Sequence, residues 1–148
     1  MKIMTKYHGD LDITINDIWK FDQGIPGFVD EREFILLPLP QIEGFQVLQS
    51  VATPHLGFVV TDPFQFFKDY DFTLNASILE QLELTQDKDV QVLTILTVKD
   101  PITNTTANLQ APIILNTANQ KGKQVILNET DYQTKHFIFN RKMQKVKG

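Results

Sequence analysis

From Glu33 to Val98 the chain is cut into short apolar runs rich in Val, Ile, Leu and Phe, most of them closed by proline, glycine or a polar turn. "EFILLPL", "FQVLQSV" and "LGFVVT" follow one another, parted by "PQIEG" and "ATPH". Such runs are too short for ordinary helices, and β-branched and aromatic side chains pack well on a pleated surface. "VQVLTILTV" (Val90 to Val98) is almost continuously apolar, and its Val, Ile and Thr content marks a buried strand rather than a helix. "DITINDIWKF" alternates Ile13, Ile15 and Ile18 with polar residues and slips near Asn16, which predicts a bulge or a strand break. In "TTANLQA" the residues Ala107, Leu109 and Ala111 face one way; "KQVIL" and "KHFIF" supply the last strands, with "NQKGK" as the turn before the first of them. Only one segment has helical spacing: Leu74, Ile78 and Leu82, with Leu79 alongside and Glu80, Gln81 and Glu83 opposite. Its start is capped by Ser77 in a capping box with Glu80, or by Asn75. The expected fold is mainly β, an antiparallel β-barrel or pseudo-barrel with one short inserted helix.

The chain has 148 residues, 42% of them apolar and eleven of them Phe, enough for one proper core. Residues 1–140 are read as one domain and residues 141–148, "RKMQKVKG", as a basic tail without an apolar face. There is no cysteine, so disulfides, thiolate metal sites and a cysteine nucleophile are excluded. The N-terminus carries charges where a signal peptide needs an apolar run, and no stretch is long enough to span a bilayer, so a soluble cytoplasmic protein is expected. Net charge is −4, unevenly spread: residues 1–100 hold sixteen acidic against seven basic residues, and the remainder two against seven. An acidic body disfavours nucleic acid, whose phosphates need a basic surface, and favours a basic protein partner, unless the two halves interleave in space.

Chemistry leaves few marks. "FDQGIPGF" (21–28) could cradle a ligand, but a phosphate cradle sets its glycines before a helix, with Lys or Ser/Thr beside them, and here the flanks are Asp22, Asp30, Glu31 and Glu33. Pro26 and Gly27 instead suit the central positions of a type II turn, with Phe21, Ile25 and Phe28 anchoring it in the core. "DPFQFFKDYDF" (62–72) sets five aromatic rings among three aspartates; it is read as a core-anchoring loop in preference to an acidic-aromatic docking surface. His8, His55 and His136 lie far apart without a second ligand at metal-binding spacing, and no nucleophile elbow occurs. No catalytic residue, metal or cofactor is therefore expected.

Taken together, "FDQGIPGF", "EFILLPL", "VLQSV", "FVVTDPF", "VLTILTV" and "TANLQAPIILN" resemble the FliW family of flagellar assembly factors, over roughly residues 5 to 140 and in the family's order. The resemblance implies a non-enzymatic regulator with a β-barrel-like fold. It would bind the small basic RNA-binding repressor CsrA, relieving repression of flagellin messenger RNA, and would also bind flagellin, so that export frees it to restrain CsrA. Charge density beside a partly exposed helix then selects Asp69 to Glu83 as the docking stretch, with Asp69, Asp71, Glu80 and Glu83 as charges and Tyr70 as aromatic anchor. Asn108 and Asn116 are second candidates, although amides there also suit backbone satisfaction at a turn or strand end. The free protein is expected to be monomeric, with no direct contact to nucleic acid or membrane. The alternatives are an OB-like single-stranded nucleic-acid-binding barrel, or a small enzyme using two carboxylates.

Overall fold

The computed structural model describes residues 1–139; the basic tail expected at 141–148 lies outside them. Eleven short strands run in chain order: β1 (Lys2–Met4), β2 (Asp10–Asp12), β3 (Trp19–Lys20), β4 (Glu33–Pro38), β5 (Phe45–Ser50), β6 (Gly57–Thr61), β7 (Val90–Thr97), β8 (Thr106–Ala107), β9 (Ile113–Asn116), β10 (Lys121–Gln124) and β11 (His136–Phe137). One α-helix, α1 (Ala76–Gln81), sits between β6 and β7. β1 and β2 form a separate hairpin with Ile3 opposite Leu11. The other strands share one sheet in the order β11-β8-β7-β6-β5-β4-β3-β10-β9, and β9 pairs back onto β7, so the sheet closes into a ring. β7 is the seam. Its first half, Val90 to Leu93, pairs with β9, while Leu96 and Thr97 pair with β8. Every pairing is antiparallel except β3 with β10, where Lys20 lies beside Lys121.

Side-chain alternation explains why these strands are apolar on both faces. Phe21, Phe34, Leu48, Val60, Leu93, Ile113 and Leu115 point into the ring and form its central core. The alternate residues point outward and are covered by three layers. The β1–β2 hairpin and the segment that follows it cover Ile35 with Ile3, Ile13 and Ile18. The segment after β6 covers Val47 and Leu96 with Tyr70, Phe66 and Phe67. Around α1, Leu82 and Leu84 cover Ile114 and Val125. A strand flanked by core on both sides has no polar face, which is why 90–98 reads as a continuous apolar run.

The mainly β reading holds, with local corrections. The slip at Asn16 is a 3₁₀ turn, Ile15–Asp17, where the Thr14 amide donates to the Asp17 carboxylate at 2.9 Å. Ile13 and Ile18 are buried while Ile15 is 71% exposed, so the alternation breaks there. Ala107, Leu109 and Ala111 are buried as expected, yet only Thr106–Ala107 is strand. "NQKGK" is not the turn: Lys121, Gly122 and Lys123 already pair with Asn116, Leu115 and Ile114. Gly122 is there because a Cβ would stand 2.6 Å from the Phe21 ring, a constraint invisible without the fold.

"GIPGF" is a turn, with mutual hydrogen bonds between Ile25 and Phe28 and Gly27 at φ 87°, the left-handed value a type II turn demands at that place. Phe21 and Ile25 are buried, but Phe28 is 41% exposed, its ring edge against Phe58; it caps the core rather than entering it.

Candidate functional site

The acidic stretch is organised by α1. Asn75, not Ser77, is the cap: its side-chain oxygen accepts the Ile78 amide at 2.9 Å. At the other end the Glu83 amide donates to Glu80 and the Leu84 amide to Leu79, the paired bonds of a Schellman ending. Glu83 therefore takes the left-handed position usually given to glycine, with φ 55°. Its carboxylate turns to Lys121 Nζ at 2.7 Å, and Asp22 approaches the same ammonium at 3.6 Å. Hydrogen bonding to Glu83 pushes the Lys121 pKa up. Asn116, only 2% exposed, donates its amide to the Leu82 and Glu83 carbonyls at 2.8 and 3.3 Å and accepts from Ala118. Asn108 accepts the Ala111 amide at 3.1 Å. Both amides satisfy backbone, and Asn116 is closed to any partner.

The aromatic segment starts on a 3₁₀ turn, Pro63–Gln65, capped by Asp62, which accepts the Phe64 amide at 2.9 Å. From there the rings interlock: Tyr70 meets Tyr132 at 4.7 Å and Phe72 at 5.2 Å, and Phe66 meets Phe45 at 6.3 Å. Tyr70 is 5% exposed and its hydroxyl donates to the Leu109 carbonyl at 2.7 Å. Burial pushes its phenol pKa well up. The expectation of Tyr70 as a partner's aromatic anchor is corrected accordingly: the ring is a strut between the loop and the barrel wall, because this segment must cover the outward face of β5 to β8.

Asp69, Asp71, Glu80 and Glu83 are all exposed, but they have different surroundings. Glu83 is engaged with Lys121. Asp71 lies where two open grooves meet. One, of about 620 Å³, is lined by Asp71, Asn75, Ile78, Ile126 and Glu129 among others; the second, of about 640 Å³, by Phe64, Asp71, Leu79 and Asp87 among others. Phe64, Leu79 and Ile126 are partly exposed apolar groups at 43%, 37% and 54%. No Lys or Arg is among the described residues lining either groove. The combination is an apolar floor with a carboxylate rim, the form of a protein-docking surface for a basic partner. Asp87 and Glu129 were missed by sequence reasoning because they reach Asp71 only through the fold. Among the described residues no group of three or more His, Asp or Glu could hold a metal.

One constellation away from these grooves explains a motif. Gln49 is fully buried, with its amide donating to the carbonyls of Ser50, Pro54 and Leu56 at 3.0 to 3.1 Å and accepting from the Lys6 amide at 2.9 Å. Ser50 and Thr53 both donate to the Glu31 carboxylate. "LQS" thus ties three loops to β5.

Comparison with known proteins is consistent throughout. The family model described as FliW protein matches residues 2–138. The flagellar assembly factor FliW of Geobacillus kaustophilus is 54% identical over 145 residues, covering 98% of this chain and 100% of that protein. The FliW of Bacillus subtilis is 48% identical over 138 residues, covering 93% and 96%. A crystal structure of the flagellar assembly factor FliW superposes with a TM-score of 0.91 at 53% identity, covering 95% of this chain and 98% of that one.

Proposed function

The chain belongs to the FliW family of flagellar assembly factors, and from that premise we propose that it acts in the cytoplasm as a protein antagonist of the translational repressor CsrA. In the same reading it also binds flagellin. Flagellin that accumulates before export occupies the protein, export releases it, and the released protein restrains CsrA, so synthesis follows export by exchange of partners.

The observation that carries this reading is the pair of grooves meeting at Asp71, with Asp87 and Glu129 on the rim and exposed apolar side chains between them. A small basic RNA-binding protein approaching this face is drawn by its field and then buries apolar surface against Phe64, Leu79 and Ile126. Carboxylates brought beside an RNA-binding surface raise the cost of placing phosphates there, so RNA is weakened without its groove being filled. Asp69 and Glu80 extend the acidic field; Glu83 contributes less, since Lys121 already offsets its charge.

The test is to mix the purified protein with CsrA and with flagellin, follow complex size by gel filtration, and measure release of a labelled flagellin-leader RNA from CsrA. Co-elution with each partner and RNA release are expected. If neither partner moves the elution position at micromolar concentration, the reading is wrong.

A further inference from the structure

Phe139, the last described residue, brings the end of the fold to the acidic grooves. Its ring meets Phe66 at 6.2 Å and packs on the layer that contains Tyr70, Phe72 and Val92. Those three side chains line the second of the grooves that meet at Asp71, and Phe72 lines both. Nine residues follow Phe139 in the sequence, and an extended chain of that length reaches roughly 30 Å. They include Arg141, Lys142, Lys145 and Lys147 and no acidic side chain, whereas residues 1–139 hold eighteen acidic against ten basic side chains.

The grooves supply the opposite charge. Asp71, Asp87 and Glu129 line them, no Lys or Arg does, and the ion pairs among the described residues both fall on Lys121, whose partners are Asp22 and Glu83. Lys88, next to Asp87 in sequence, lies between Asp87 and Asp89, so that turn is acidic on balance. At about 0.1 M salt, charges more than roughly 10 Å away are largely screened, so the cations that matter are those brought close. A cationic segment tethered at Phe139 is held near the grooves at an effective concentration of about millimolar, so even weak pairing occupies them.

We propose that residues 141–148 dock in the grooves at Asp71, their cations on Asp71, Asp87 and Glu129, so that the chain's own tail competes with a basic partner for this face. The inference rests on the reading of these grooves as the docking surface for such a partner. The tail then sets a threshold: a partner binds by displacing it, and the displaced segment remains attached for its return.

The experiment compares the intact chain with a full-length Arg141→Gln/Lys142→Gln/Lys145→Gln/Lys147→Gln variant. Amide chemical shifts of each protein alone should differ at residues 71–75, 87 and 126–130, the differences fading as salt rises and persisting on dilution. Labelled octalysine, followed by fluorescence anisotropy, serves as the basic partner. It should bind the variant at least about threefold more tightly than the intact chain at about 0.05 M salt. Asp71→Asn/Asp87→Asn/Glu129→Gln, added to both chains, should weaken octalysine and erase that ratio. Absence of the groove shifts, equal octalysine affinity, or a ratio that survives the groove changes would overturn the tail proposal; octalysine that still binds and is weakened by the groove changes leaves the groove reading standing. If octalysine fails to bind the variant, the groove reading falls and the tail proposal with it. Shift differences lost on dilution would assign the tail to a second copy and overturn docking within one chain.

Discussion

Gln49 is fully buried; the two N–H groups of its Nε2 are shared among four backbone carbonyls and its Oε1 accepts the Lys6 amide, so none of its partners is a side chain. Replacing it with leucine keeps volume but takes the partner from the Lys6 amide and from the Ser50 and Pro54 carbonyls, at about 1–3 kcal/mol for each buried group left unsatisfied, whereas the Thr53 and Leu56 carbonyls keep the Leu56 and Ser50 amides. Gln49→Leu is expected to lower unfolding free energy in urea by at least about 2 kcal/mol. A smaller loss would mean that water replaces the amide. Glu83 poses the opposite case. Its left-handed backbone costs about 1 kcal/mol that glycine would not incur, whereas its ion pair with Lys121 lies in solvent and is screened by water and salt. Glu83→Gly should therefore leave the urea unfolding midpoint unchanged or raise it, and a lowered midpoint would show that the ion pair counts for more than its exposure implies. The two residues also differ in legibility. Gln49 reads as an outward polar position in an alternating strand, because its partner at Lys6 is remote in sequence; the Asn75 cap, whose partner is three residues away, is one of the two caps that the local sequence allows.

At the scale of elements, the β8–β11 edge depends on a ring that must stay neutral. His136 sits against Phe67 and Tyr132, and its Nε2 accepts the Gln133 amide at 2.8 Å. Burial holds its pKa below the ordinary value of 6.5. As pH falls through that ordinary value the unfolded chain takes up the proton first, so stability is complete above it and declines on acidification. Urea midpoints measured at neutral and mildly acid pH should fall with acidification, and fall less in His136→Gln; equal slopes would exclude this histidine. Longer strands were legible because side-chain alternation or continuous apolarity marks them, as in β4 to β7. Strands of two residues such as β3, β8 and β11 carry no period at all, and their pairing is decided by what lies next to them in space. The turn expected at "NQKGK" failed for a related reason: Gly122 looks like a turn residue but serves Phe21.

For the whole molecule the question is which face meets which partner. Asp71→Lys, Asp87→Lys and Glu129→Lys should each slow association with CsrA severalfold at low salt, the difference shrinking as salt rises, while Asp12→Lys on the β1–β2 hairpin should not. Equal rates for all four, measured by stopped flow, would place the interface elsewhere. Charge density along the chain pointed to the stretch containing Asp71, but no linear reading could add Glu129 to it or subtract Tyr70, because both outcomes depend on closure of the ring. That closure has a mechanical side. Every other joint in the wall is antiparallel, whereas the parallel joint between β3 and β10 has a single residue pair in register, supported by the Lys20 amide on the Gln120 carbonyl. A cylinder sewn so unevenly is expected to tear first between Lys20 and Lys121, and amide exchange on warming should rise there before it does at β4–β5; equal protection of the two joints would refute this.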